Sequence, residues 1–283
     1  MSISRSVRTY ACAAALLVLL PVRPAAAQYA PVRSSDPATG EKYHIELGAG
    51  FWNPTPAIAL SSESLGIVGS NINFVTDLGI QQTRFPEFNL VLRPARKHKF
   101  RISYTPIKYD AQATLTRDIV FNGIRFTASL PVTSSLDWKA WRFGYEYDFL
   151  YHDRWFAGVI AEAKYTDVTA TISSAVDTEY THAQAPIPAI GGIVRVYPAA
   201  NISITGEATG FKLPGSVKLG GSGGSGDTGQ YIDVDIYGTL NFTNNFGAQV
   251  GWRSMDVQYS LNSGHDAGDF TLRGLYFGAV VRY

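Results

Sequence analysis

The chain has 283 residues, with Lys plus Arg at 24 against Asp plus Glu at 23, a formal charge of +1, and 46% apolar residues. That length is ample for one domain, and a charge this balanced leaves no basic patch to hold nucleic acid, which we exclude as a partner. Cys12 is the one cysteine and lies in the first apolar stretch, so the chain beyond it has no disulfide, no thiolate metal site and no cysteine nucleophile.

Met1 to Arg8 is short and basic, an apolar run follows from Ala11 to Val22, and Ala25 and Ala27 make a small-x-small pattern before Gln28. That order predicts a secretory signal peptide over 1–27, read by the Sec pathway. The run is shorter than the roughly 20 apolar residues a membrane helix needs. Cys12 has most of the run still ahead of it, which is not where a lipoprotein cysteine stands. Residues 28–41 are polar and Pro-rich and read as a disordered periplasmic arm.

From residue 42 onward the pattern has a period of two, the mark of strands with one apolar and one polar face. Tyr43, Ile45, Leu47, Ala49 and Phe51 oppose His44, Glu46, Gly48, Gly50 and Trp52. Phe88, Leu90, Leu92 and Pro94 oppose Asn89 and Arg93; Phe100, Ile102 and Tyr104 oppose Arg101, Ser103 and Thr105. Next come Trp141, Phe143, Tyr145, Tyr147, Phe149 and Tyr151 against Arg142, Gly144, Glu146 and Asp148, an aromatic face suited to lipid rather than to a soluble sandwich. Trp155, Val159 and Tyr165 oppose Glu162 and Lys164; Ile190, Val194 and Val196 oppose Arg195; Ile202, Ile204 and Ala208 oppose Ser203, Thr205 and Glu207. Ile232, Val234 and Ile236 alternate with Asp233 and Asp235, Phe246, Val250 and Trp252 with Gln249 and Arg253, and the tenth segment ends the chain.

Connections alternate as well. Residues 96–99, 152–154, 198–201 and 243–245 read as tight turns, whereas 54–85, 110–133, 174–180, 212–228 and 261–268 read as long loops. Short turns on one side and long loops on the other fit a closed, all-β, antiparallel up-and-down transmembrane barrel over 42–283, of about ten strands with eight or twelve as alternatives. Within the loops, the glycine-rich stretch 220–226 predicts a flexible tip. Asn122-Gly123 predicts a hairpin turn at the end of a ribbon that projects outward, and 72–78 a short strand or cap.

The last segment carries a resemblance. Leu275, Phe277, Ala279, Val281 and Tyr283 look like the C-terminal signal by which Gram-negative outer-membrane barrels are read by the barrel-assembly machinery. As a pattern the whole chain past residue 42 resembles the OmpA-type and OmpW-type small barrels and, in strand count, the omptin proteases. That resemblance implies outer-membrane localisation, with outer-membrane lipids and lipopolysaccharide as surroundings. It specifies no activity and no catalytic residue.

With polar faces inward, the predicted lumen carries Glu46, Glu146, Asp148, Glu162, Glu207, Asp233 and Asp235 against Arg93, Arg101, Arg142, Lys164, Arg195, Arg253 and Arg282. Barrels of this size have room for little beyond their own side chains, whereas open porins need about 16 to 18 strands, so the balance reads as ion pairs filling the interior. The expected role is non-enzymatic, structural in the envelope or binding at the surface, with a narrow channel for small solutes as the alternative. A third reading is an outer-leaflet enzyme, acting on lipid A or as an omptin-like protease. Omptin resemblance implies acidic residues and a histidine at the extracellular mouth. Asp233, Asp235 and His182 are the residues to weigh, but alternation points His182 outward and splits the set. No cofactor and no metal is expected, since Asp227, Asp266 and Asp269 are scattered loop carboxylates.

Overall fold

A computed structural model describes residues 38–62, 67–213, 228–261 and 266–283. The predicted signal peptide with Cys12, residues 28–37 of the predicted arm, the glycine-rich tip at 220–226 and Asp227 lie outside the described residues.

The described strands are β1 (Ile45–Ser61), β2 (Ile72–Asn73), β3 (Phe85–Ala95), β4 (His98–Thr114), β5 (Ile119–Phe121), β6 (Ile124–Phe126), β7 (Pro131–His152), β8 (Trp155–Ser173), β9 (Thr178–Ala199), β10 (Ile202–Leu213), β11 (Thr228–Asn241), β12 (Phe246–Leu261) and β13 (Asp266–Arg282). Each of the ten long strands pairs antiparallel with its chain neighbour, and β13 pairs back onto β1 from Glu46↔Arg282 to Ser61↔Ala267, which closes the barrel and removes both sheet edges. The ten predicted segments are therefore the ten wall strands. β2 rides on β1, and β5 with β6 forms a separate hairpin.

Burial follows the alternation along the wall strands and departs from it just before β1, where His44 is exposed, and at the end of β7. Tyr43, placed by the pattern on the outer face, is buried beneath Arg93 and Arg282, because the chain turns into the barrel before β1 begins. Tyr151, also placed outward, lies against Phe156 and receives a 2.9 Å bond from Arg93. A register shift between Tyr147 and Leu150 reverses the side-chain parity for the end of β7, as a bulge does.

Several strands outrun their predicted limits. β1 continues to Ser61, β9 already begins at Thr178, and Lys99, assigned to a tight turn, is part of β4. β7 and β9 have 22 residues each, about 70 Å at roughly 3.3 Å per residue, more than twice what a bilayer crossing needs. The outer face changes character along that height. Lower positions expose Leu47, Phe88, Phe100, Phe143, Val159, Ile204, Val250 and Phe277. Above the cross-strand row Tyr104–Trp141–Tyr165, paired positions are polar, as in Lys108–Asp137–Thr169–His182.

The upper interior is apolar and packed. Inward residues Trp52, Ile58, Ile107, Leu136, Trp138, Ile172, Met255 and Leu272 form one cluster with Phe74, Leu78 and Ile80 of the first loop and with Leu115, Ile119, Phe121 and Phe126 of the second. Of residues 72–78, expected as a short strand or cap, Ile72–Asn73 form a two-residue strand on β1, and Phe74 and Leu78 are buried in this cluster. The ribbon predicted over 110–133 differs from expectation: its stems rise as β4 and β7, but its tip folds back over the mouth. Projection into water would expose Ile119, Phe121 and Phe126, which instead are at most 1% exposed. Asn122 (φ 49°) and Gly123 (φ 85°) make the predicted two-residue turn, and the tip is tied to its neighbours by Ser70 N–H to Val120 O at 2.8 Å and Asn122 N–H to Ser62 Oγ at 3.1 Å.

Candidate functional site

Beneath this plug the interior is ionic. Alternation places one polar side chain at every second position of every wall strand, and closure aims all of them at a common axis. All fourteen residues of the predicted lumen set have their side chains inside the barrel. Three further residues join them. Lys99 falls in a segment that reads as a turn, Glu87 precedes the legible alternation of β3, and Glu41 falls in the polar arm.

The charges form a continuous network. Lys99 Nζ lies 2.6 Å from Glu146 and 2.9 Å from Asp148; Arg101 bridges Glu146 at 3.2 Å and Glu207 at 2.6 Å. Arg142 contacts Glu207 at 3.3 Å, Glu162 at 3.2 Å and Asp233 at 3.6 Å. Lys164 joins Glu162 (2.7 Å) to Asp233 (2.8 Å), and Arg253 joins Asp233 (2.9 Å) to Glu87 (3.2 Å). Gly158 is part of this fit, since a Cβ there would stand 2.7 Å from Asp148 Oδ1.

Two smaller clusters sit at the end of the barrel where the chain enters. Glu41 reaches in to accept bonds from Arg195 (3.0 Å), Tyr197 and Arg93, and Arg195 also donates to Thr205 at 2.8 Å and Tyr237 at 3.1 Å. The end of the predicted arm is therefore ordered inside the barrel, held by charges that would otherwise be buried without a partner. Arg282 pairs with Glu46 and donates to Asn241 at 2.7 Å. Where ionic and apolar layers meet, cations lie over aromatic faces: Arg253 over Trp52 at 5.2 Å and Lys164 Nζ over Tyr231 at 4.4 Å.

Among the described residues nine buried acids (Glu41, Glu46, Glu87, Glu146, Asp148, Glu162, Glu207, Asp233, Asp235) face eight bases (Arg93, Lys99, Arg101, Arg142, Lys164, Arg195, Arg253, Arg282). Every acid but Asp235 lies within ion-pair distance of a base.

The hydrolytic constellation does not assemble. His182 lies on the outer face of β9, 2.9 Å from Asp167 of β8, with Gln184 also on that carboxylate at 3.2 Å. Asp233 and Asp235 are inside, on the far side of the wall, and Asp233 is saturated by cations. No group of three or more His, Cys, Asp or Glu side chains among the described residues is arranged to hold a metal. Leu275, Phe277, Ala279, Val281 and Tyr283 lie exposed along the outer face of β13, the strand that seals the barrel.

No family model and no curated protein sequence matches the chain. Among solved structures it is similar to the outer membrane protease OmpT of Escherichia coli, with a TM-score of 0.52 at 9% identity over 88% of this chain and 100% of that one. Weaker likenesses include AlkL in lipid bilayers (TM-score 0.37, 11% identity, 91% of this chain and 98% of that one) and the P. putida toluene transporter TodX (0.36, 7%, 85% and 90%). The fold is that of the outer-membrane β-barrels. At such identities the likeness reaches no further than the fold.

Proposed function

We propose that this chain is an exported, non-enzymatic resident of a Gram-negative outer membrane, closed along its axis by its own side chains, with a structural or surface-binding role in the envelope. The reading rests on one observation: ion pairs fill the lower half of the lumen and an apolar plug built from two loops fills the upper half. The cavity within the ionic half measures about 60 Å³, room for a few waters. A barrel so filled stabilises itself and presents its outer face and loops, not a passage.

The apolar belt supports contact with lipid, and the polar rows above it suit the headgroup region of the outer leaflet, where lipopolysaccharide would pack. The tight turns between β3 and β4, β7 and β8, β9 and β10, and β11 and β12 would face the periplasm, and the plugged end the outside. Assembly would proceed through the barrel-assembly machinery reading β13 after Sec export. The test is planar-bilayer conductance of the purified protein. No steady current is expected; a steady current in the native protein would replace this reading with a channel for small solutes. Lipid A mass spectra from cells with and without the protein should be identical, and any new lipid A species would make it an outer-leaflet enzyme.

A further inference from the structure

Among the described residues, the one buried acid without a base lies where the ionic half of the lumen has space. Asp235 stands on β11 directly opposite Glu207 on one side and Arg253 on the other. Glu207 is a like charge, and Arg253 is turned away to Asp233 and Glu87. Asp235 is 92% buried by its 8% exposure, and no protein group reaches its Oδ1. Glu87, 7% exposed, likewise has Oε2 unmet. Both line the 60 Å³ cavity, together with Gln249 and Tyr276. The Gln249 amide nitrogen donates to Thr239 at 3.2 Å, so its carbonyl oxygen is the atom left for the cavity.

A buried carboxylate without compensation is costly enough that something must neutralise it. We propose that this cavity is a binding site for a single small monovalent cation, held by Asp235 and Glu87 with the Gln249 carbonyl and water completing its shell. Charge supports it, because one positive charge brings nine acids and eight bases to balance. Space supports it too, since a proton needs none and the cavity holds an ion with water. A divalent ion is disfavoured. Lys99, Arg101, Arg142 and Arg195 line the same cavity and repel a double charge more strongly than a single one. The site does not depend on whether the lumen conducts.

Rubidium, which scatters anomalously, serves as the probe for crystals of the full mature protein. The expected result is one anomalous peak between Asp235 and Glu87 that disappears in Asp235→Asn. In solution, the thermal midpoint should be several degrees higher in NaCl than in choline chloride of equal ionic strength, with that difference lost in Asp235→Asn. Should Asp235→Asn fold poorly, Gln249→Ala keeps every charge and should raise several-fold the Na⁺ concentration that gives half the effect. Absence of a peak, together with an infrared carboxylic-acid band lost in Asp235→Asn, would show that a proton neutralises the site and overturn the proposal. Absence of both signals, with no difference between Na⁺ and choline, would also overturn it.

Discussion

Arg142→Ala tests whether the lumen is held together by its ions. Arg142 has 11% of its side chain exposed and touches three carboxylates, Glu162 at 3.2 Å, Glu207 at 3.3 Å and Asp233 at 3.6 Å. At an effective dielectric near 20, each unit-charge contact at such a distance is worth about 5 kcal/mol gross. Most of that offsets the cost of taking the ions out of water, and removing one member of a buried pair costs about 3–5 kcal/mol net. Other cations soften the loss here, because Arg101 stays on Glu207, Lys164 on Glu162 and Asp233, and Arg253 on Asp233. A loss near the lower limit, about 3 kcal/mol, is therefore expected from reversible urea unfolding in lipid vesicles. Glu207→Gln added to Arg142→Ala should restore at least about 1 kcal/mol, since the pair is coupled. In planar bilayers the single variant should gain intermittent conductance as water enters around the stranded charges. A variant as stable as the native protein within about 0.5 kcal/mol, the size of an ordinary surface substitution, would refute the reasoning.

Other substitutions probe the wall and the plug. Val159→Arg, on the outer face at 48% exposure, should cost about 2–4 kcal/mol if it lies near the bilayer midplane, and the same unfolding assay in vesicles reads it. Thr205→Val, fully buried and deprived of the acceptor for Arg195 Nε, should cost about 1–3 kcal/mol; a neutral result would show that water replaces the hydroxyl. Phe121→Ala and Phe126→Ala should each loosen the plug by about 3–5 kcal/mol, seen as faster amide exchange over 72–80, and unchanged exchange would mean that the two loops are not packed as one unit. Burial raises the pKa of the Asp77 carboxyl, but the bonds from Arg117 (2.6 Å) and from Asn73 N–H (2.9 Å) lower it more, so it lies below the ordinary value. Its contribution is present above the unfolded-state pKa and fades as pH falls through the folded one, so the protection of first-loop amides, measured against their intrinsic exchange rates at each pH, should fall in acid in the native protein and not in Asp77→Asn. An epitope inserted after Val176, 79% exposed at the plugged end, should be detected on intact cells, and detection only after permeabilisation would invert the orientation.

How much of this was legible beforehand depends on what a period of two encodes. Alternation by itself determined ten wall strands, their antiparallel order and the inward set from Glu46 to Arg282, because strand geometry forces every second side chain to one face. It fails at Tyr151, where one bulge resets parity, at Tyr43 and Glu41, where the chain leaves the strand and turns inward, and at Lys99 and Glu87, which stand near strand ends where the alternation is too short to read. Only closure decided which charges meet: Arg253 and Glu87 are 166 residues apart, and Arg282 and Glu46 are 236 apart. Trp52, Ile107 and Trp138 hold inward positions that polar residues hold lower down, and nothing local says what covers them. Their partners are loop residues, Phe74, Phe121 and Phe126, which lack the periodicity of a wall strand. A period reports which way a side chain points, whereas depth along the barrel and the return of a loop into its mouth are set by contacts between distant segments, which exist only once the wall has closed.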